Sequence, residues 1–168
     1  MIASFFGNSL IENDVSGHSS TETTFSLSFL TKQEYAVLVS AESNSGSLEI
    51  GLTQGRPYVR YLLQNSAPQK LSSPVKVNDL NLHSIRVNRI NDRIKLIVDS
   101  EMALDSKIRA SKFGLEFDKI KIGQKWSNDK NKLVGFRGCL YQVKFNDVDL
   151  LVSTSSQVIL PLGEKIES

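Results

Sequence analysis

The sequence predicts an all-β domain, a sandwich or barrel of antiparallel strands. Three observations support this prediction. Apolar and polar residues alternate with a period of two, which is typical of strands with one buried face. These segments are short and are separated by turn residues at intervals of roughly 8 to 12 residues. The length of 168 residues corresponds to one domain, and no segment has the longer periodicity of an amphipathic helix.

The first strands follow one another as hairpins. Residues 25–29 alternate phenylalanine and leucine with serine and predict a clear strand. Residues 48–52 alternate in the same way. Gln54-Gly55-Arg56 then turns the chain into a further strand over residues 59–63, so these two strands are expected to form a hairpin.

A second hairpin and two later strands complete the pattern. Ile85 and Val87 face one side of a strand, and Asn91-Asp92 turns the chain into residues 94–99. Residues 119–122 and 141–145 alternate again. The alternation predicts that twelve side chains face the core: Phe25, Phe29, Leu48, Ile50, Val59, Ile85, Val87, Leu96, Val98, Ile122, Val143 and Phe145.

The net charge of +2 conceals an uneven distribution of charged residues. Residues 1–50 contain one basic and six acidic residues, whereas residues 51–145 contain eighteen basic and eight acidic residues. The small net charge argues against a protein directed at nucleic acid. The basic middle of the chain is either an ordinary solvated surface or a patch for a sulfated glycan or another polyanion.

The densest group of basic residues lies between residues 119 and 137, called here the basic segment. Lys119 and Lys121 alternate with two isoleucines, so both are expected to point to solvent. Lysines can bind sulfate or carboxylate groups, and an indole can either stack on a sugar ring or fold back over the sandwich. The predicted glycan site contains Lys119, Lys121, Lys125, Trp126, Lys130, Lys132 and Arg137.

The sequence contains no recognisable catalytic or metal-binding motif. One cysteine, Cys139, and two histidines, His18 and His83, cannot form a closed zinc site. A glycine-rich phosphate loop and a G-x-S-x-G nucleophile elbow are also absent from the sequence. We therefore expect that the chain is not an enzyme and that it holds no metal or other cofactor.

Two segments together resemble the laminin G domain family. The first runs from Asp79-Leu80-Asn81-Leu82-His83 through a strand and a tight turn to Val98-Asp99. The second, Phe136-Arg137-Gly138-Cys139, opens a strand that ends in Phe145-Asn146. Both occur in the order found in the family. The resemblance implies a jelly-roll sandwich of two antiparallel sheets, in agreement with the strand pattern.

The resemblance implies an extracellular recognition module that binds matrix or cell-surface proteins, with heparan or chondroitin sulfate as further candidate ligands. Ala3-Ser4-Phe5-Phe6-Gly7, Gly55-Arg56 and Leu150-Leu151 are most similar to one branch of the family. This branch is the N-terminal laminin G domain of large single-pass cell-surface proteoglycans, the group of chondroitin sulfate proteoglycan 4 and Kon-tiki (Perdido). The chain would then be an ectodomain fragment, itself not inserted in a membrane.

Three positions are compared with the family pattern. His83 matches a structural histidine. Gly46 stands where many members have a calcium-binding aspartate, so calcium binding at the usual site is not expected. A second cysteine, expected near residues 161–163, is absent, so Cys139 is either a free buried thiol or bonded outside this fragment.

The laminin G-like domain is expected to span residues 3–163, with residues 164–168 as a C-terminal run-out. An alternative function remains, because jelly rolls also carry glucanases: a lectin-like carbohydrate-active enzyme. Such an enzyme requires two or three carboxylates on neighbouring positions of one strand, and Glu49 has no such companions.

Overall fold

The computed structural model describes residues 2–7, 9–15, 19–20, 22–63, 67–108, 115–123, 135–152 and 156–159. These residues form strands and connecting turns, and none of them belongs to a helix long and apolar enough to cross a membrane. The strands in chain order are β1 (Ile2–Phe6), β2 (Leu10–Asp14), β3 (Ser19–Ser20), β4 (Glu22–Leu30), β5 (Ala36–Ser43), β6 (Gly46–Thr53), β7 (Arg56–Leu63), β8 (Gln69–Ser72), β9 (His83–Ile90), β10 (Arg93–Val98), β11 (Glu101–Lys107), β12 (Leu115–Glu116), β13 (Lys119–Ile122), β14 (Arg137–Phe145), β15 (Val148–Asp149) and β16 (Ser156–Ile159).

The strands are arranged in two large antiparallel sheets, which confirms the predicted all-β sandwich. The first sheet has the order β1-β14-β4-β9-β10-β11, with β15 paired to β14. The second sheet has the order β16-β2-β13-β5-β6-β7-β8. Strands β3 and β12 form a separate two-stranded ladder. Strand neighbours are often distant in the chain, so the arrangement depends on long-range pairing.

Both predicted hairpins are present. Thr53 of β6 pairs with Arg56 of β7 at the turn, and the pairing continues along both strands. Gln54 and Gly55 in the turn have φ angles of 52° and 72°. Two consecutive positive φ angles are what a tight hairpin turn of type I′ requires. Strands β9 and β10 pair in the same way around Asn91-Asp92.

The core lies between the two sheets and contains all twelve side chains that the alternation predicts. Their exposed fractions range from 0% at Val59 to 5% at Phe145. Aromatic rings join the sheets. Phe25 lies 5.1 Å from Phe145 on the neighbouring strand and 6.0 Å from Phe117, which directly precedes the β13 region of the second sheet. Tilted and edge-to-face contacts at these distances are favourable.

Polar side chains also lie on the inner side, among them Arg89 and Asn13. Arg89 continues the inward row of β9 beyond Val87 and is 3% exposed, and this burial lowers the pKa of its guanidinium. Asn13 is fully buried and donates a hydrogen bond of 3.1 Å to the carbonyl of Leu150. This bond connects a strand of the second sheet to the chain that follows β15.

The position of Phe25 predicts a large loss of stability on truncation. Phe25→Ala removes a ring from the inter-sheet contact and leaves a cavity, so we expect the free energy of unfolding to fall by about 3–5 kcal/mol. Ser26→Ala, one residue along β4 on the opposite face, is the control and is expected to change it by less than about 0.5 kcal/mol. Urea unfolding measures both. Equal midpoints for the two variants would contradict the inward placement of Phe25.

Candidate ligand-binding surfaces

The described part of the basic segment has two lysines, and both contact carboxylates. Lys119 Nζ lies 3.0 Å from Glu12 Oε1 and its side chain is 56% exposed. Lys121 Nζ lies 3.5 Å from Glu42 Oε2 and its side chain is only 13% exposed. The prediction that both lysines point to solvent is thus correct for Lys119 and wrong for Lys121. The reason is that Lys119 begins β13, beside the exposed Asp14, whereas Lys121 lies within the strand between Glu12 and Ser40.

The other residues of the predicted glycan site do not join these lysines in the described structure. Arg137 is exposed, but it opens β14 of the first sheet and pairs with Phe6, whereas both lysines lie in the second sheet. The remaining four residues, Lys125, Trp126, Lys130 and Lys132, lie outside the described residues.

The outer face of the second sheet has further polar contacts centred on Tyr58. Its hydroxyl donates a 2.7 Å hydrogen bond to Glu49, and burial together with this bond raises the pKa of Tyr58. Lys70 Nζ lies 4.3 Å from the centre of the ring. A Cβ at Gly51 would come within 2.7 Å of the Tyr58 hydroxyl, so the ring lies across a residue that has no side chain. The charged residues of this face therefore largely contact one another.

The outer face of the first sheet contains a recess of about 380 Å³, called here the serine groove. Sequence reasoning did not find it. The signal was present, however, in the serines that alternate with the core residues of β4. The residues lining it are Ser26, Leu27, Ser28, Ser84, Ile85, Arg86, Ile97, Ser100, Gln142 and Lys144.

The groove exists because small side chains occupy the middle of the face. Ser28 and Ser84 are cross-strand partners on β4 and β9, and Ser26 lies beside them. Sheet faces are usually covered by β-branched or aromatic residues, so serines leave the sheet surface low at this point. On one side β14 has a bulge between Tyr141 and Lys144, with Gln142 at a φ of 49°. A bulge of this kind redirects side chains, here at the wall of the groove.

One end of the groove is held by three residues, Asp79, His83 and Asp99, called here the histidine clasp. The His83 ring lies 2.7 Å from Asp99 through Nδ1 and 2.8 Å from Asp79 through Nε2. Asp99 also accepts a 2.8 Å hydrogen bond from the backbone of Ser84. Asp99 and Ser100 form the turn between β10 and β11 with φ angles of 51° and 67°. The clasp therefore fixes the positions of two groove serines.

Two groups of the clasp, Asp79 and His83, have pKa values shifted in the directions expected for ion pairing. The backbone N–H of Asn81, followed by the side chains of His83 and Asn81, lowers the pKa of Asp79 to about 2. Burial by itself would lower the pKa of His83, but the hydrogen bonds to Asp99 and Asp79 outweigh it, so the pKa is raised. The physical reason is that only the protonated imidazole can donate to both carboxylates.

The region around Gly46 does not fit a calcium ion. Calcium takes six to eight oxygen ligands, usually with carboxylates. The Ser43 hydroxyl instead lies 2.9 Å from that of Ser45 and donates to the carbonyl of Gly46. Within the described residues, no group of three histidine, cysteine, aspartate or glutamate side chains is placed to hold a metal ion.

Cys139 is a free thiol among the described residues. It is partly exposed rather than buried, since it lies on the outer face of β14 with its sulfur 3.8 Å from the Ser4 hydroxyl. Residues 161–163, where the resemblance led us to expect a second cysteine, lie outside the described residues.

Comparison with known proteins identifies the family. A family model of the laminin G domain matches residues 29–148, which is more than two thirds of the chain. The chain therefore belongs to the laminin G domain family, whose members are extracellular adhesion and binding modules. None of the curated proteins matches the sequence.

Solved structures show the same sandwich. The LG1-3 region of the laminin alpha2 chain matches 95% of this chain at 18% identity with a TM-score of 0.77. Domains LG4-5 of the mouse laminin alpha1 chain match 95% at 14% identity with a TM-score of 0.78. This chain spans 34% and 46% of those two chains. A heptameric SAP-like pentraxin from Limulus polyphemus also matches, at 10% identity with a TM-score of 0.67. The match covers 86% of this chain and 74% of the pentraxin chain. At these identities the likeness shows the fold alone.

The histidine clasp predicts how stability depends on pH. Because the pKa of His83 is raised in the folded state, its contribution is fully present below the unfolded value of about 6.5 and is lost as pH rises through the folded pKa. The contribution of Asp79 is present above 3.8 and is lost as pH falls through about 2. Wild-type stability should therefore fall from pH 6 to pH 8 by more than that of His83→Gln. Urea midpoints at these two pH values measure the difference, and parallel profiles would contradict it.

Proposed function

We propose that this chain is an extracellular recognition module of a large single-pass cell-surface receptor of the proteoglycan type. The observation that carries the proposal is the laminin G match over residues 29–148. The module is proposed to span residues 3–163 and to bind matrix or cell-surface partners. The proteoglycan branch is supported by the sequence likeness at residues 3–7, 55–56 and 150–151.

Binding rather than catalysis is also supported by the surroundings of Glu49. The carbohydrate-active alternative requires a second carboxylate on a neighbouring position. The residues directly opposite Glu49 on the adjacent strands are Ser40 and Arg60, and its carboxylate accepts the hydrogen bond from Tyr58. The diagonal carboxylate on β5, Glu42, contacts Lys121 at 3.5 Å. Each of the two glutamates is therefore engaged by another side chain, which supports a binding surface over an acid and base pair.

Sulfated glycans are proposed as one class of ligand for the basic segment. Lys119 and Lys121 already contact Glu12 and Glu42, which compensate part of their charge. A sulfate that replaces a carboxylate partner gains less than one that meets a lysine with no such partner. We therefore expect Lys119 and Lys121 to contribute the smaller part of the affinity. The remaining residues of the proposed site are Lys125, Lys130 and Lys132, with Trp126 as a stacking surface and Arg137 as a further cation.

The heparin affinity of two variants tests this assignment. K125A/K130A/K132A is expected to elute from a heparin column at clearly lower salt than the wild type, because exposed ion pairs are weak and screened. K119A/K121A is the control and is expected to elute much closer to the wild type. Elution of all three proteins together, or failure of the wild type to bind at low salt, would contradict a glycan role for the basic segment.

Binding to cells tests the broader proposal. The labelled chain is expected to bind to cell layers or deposited matrix, and digestion of the layers with heparinase and chondroitinase separates the two classes of partner. Binding that disappears after digestion indicates glycans, and binding that persists indicates a protein. Absence of binding to every layer, at concentrations where a laminin G domain of a laminin binds, would contradict a recognition function.

A further inference from the structure

We propose that the serine groove binds a saccharide unit that carries a carboxylate or a sulfate. This site goes beyond the function proposed above, because it lies on the first sheet and uses none of the lysines of the basic segment. It involves four neighbouring strands and the turn after β10, so no single stretch of the sequence contains it.

The base of the groove offers hydroxyl groups that are available to a ligand. Within the part of the chain that the structure describes, the hydroxyls of Ser26, Ser28 and Ser84 form no hydrogen bond to another protein group. Other serines, such as Ser43 and Ser73, use their hydroxyls in local turns. A hydroxyl both donates and accepts, which is the pattern that the hydroxyls of a sugar ring require.

Two cations stand on opposite sides of these serines. Lys144, Ser26 and Arg86 are successive partners across β14, β4 and β9. Because adjacent strands lie about 4.8 Å apart, the Cα atoms of the two basic residues are separated by roughly 10 Å. A ligand of the size of a sugar ring can therefore contact both.

Neither Lys144 nor Arg86 has an ion pair with the described residues, and both are exposed. Some basic residues elsewhere on the strands are paired, as in Arg93 with Asp105 at 2.9 Å and Lys107 with Asp92 at 3.3 Å. What distinguishes Arg86 and Lys144 is that they stand on either side of one recess. None of the ten residues lining the groove is acidic. The lining thus contains two basic and no acidic side chains, which favours an anionic ligand over a neutral one. The nearest carboxylates lie outside the lining and accept backbone hydrogen bonds: Asp149, opposite Lys144, from Leu151, and Asp99 of the clasp from Ser84.

The size and shape of the groove favour a short carbohydrate. A volume of about 380 Å³ is at the small end of ligand sites. Ile97 is half-buried on the wall beside Arg86 and offers an apolar surface to the C–H groups of a ring. The histidine clasp holds Ser84 and Ser100 in place before a ligand arrives, which reduces the entropy lost on binding.

Titration of the isotopically labelled chain by NMR tests the proposal with three sugars. The probes are a sulfated heparin disaccharide, sialyllactose and neutral lactose. We expect at least one anionic sugar to shift the amide signals of Ser26, Ser28 and Ser84, and lactose to bind at least about tenfold more weakly. The responsive probe distinguishes the two sources of negative charge, a sulfated uronate or a sialic acid.

Three variants locate the site. R86A/K144A is expected to weaken binding about tenfold, because it removes both charged contacts. R60A/K70A removes the same charge from the outer face of the second sheet and should leave the affinity unchanged. Ser26→Phe fills the groove without changing the charge and should abolish binding. Well-dispersed amide spectra confirm that each variant is folded.

Several results would overturn the proposal. These are equal shifts with lactose and the anionic sugars, no groove shifts with any sugar at millimolar concentration, or equal losses in R86A/K144A and R60A/K70A. Tighter binding of an acetylated Asp-Glu peptide than of both anionic sugars would assign the groove to acidic peptides instead. Heparin retention by the basic segment is unaffected by these outcomes, so the two proposals fail separately. If K125A/K130A/K132A no longer shows the sugar-induced amide shifts of Ser26, Ser28 and Ser84, the groove is not a separate site and the proposal is wrong.

Discussion

The contact between the two sheets at Phe25, Phe117 and Phe145 is the interaction on which the remaining structure depends. Phe25 and Phe145 come from paired strands of the first sheet, and Phe117 lies at the entry to β13 of the second. A buried ring at this point requires that each sheet present one apolar face to the other. Every strand that alternates must then present its remaining side chains outward. The candidate binding residues on the described strands follow from this division.

The two outer faces use their polar residues differently. On the second sheet, lysines and glutamates contact one another, and Tyr58 contacts both Glu49 and Lys70. Such a surface is internally compensated and has a weak field. On the first sheet, serines replace larger residues, and Arg86 and Lys144 have no ion pair with the described residues. A recess with unpaired charge can attract a ligand, because nothing within the protein must be displaced first.

Low identity to the laminin structures is consistent with a shared fold and a different surface. The sandwich requires apolar residues of suitable volume on the inner faces, and many combinations satisfy that requirement. The turns and outer faces have no such constraint. The turn at Gly46 illustrates this, since the hydroxyls of Ser43 and Ser45 hydrogen-bond locally there. Family membership therefore defines the fold, whereas the ligand depends on the side chains of the outer faces and turns.

The sequence by itself determined seven of the strands, two hairpin turns and twelve inward side chains, because these properties depend on a period of two and on local turn residues. Strands with a weaker alternation, such as β2, β5 and β11, appeared only in the structure. It also identified the laminin G family through residues around His83 and Cys139. Only the tertiary structure decided that Lys121 is paired with Glu42, that Arg137 lies on the opposite sheet from Lys119, and that Ser28 and Ser84 form the base of a groove. Alternation assigns a side chain to a face but not to its neighbours, since those are set by strand pairing between residues far apart in the chain.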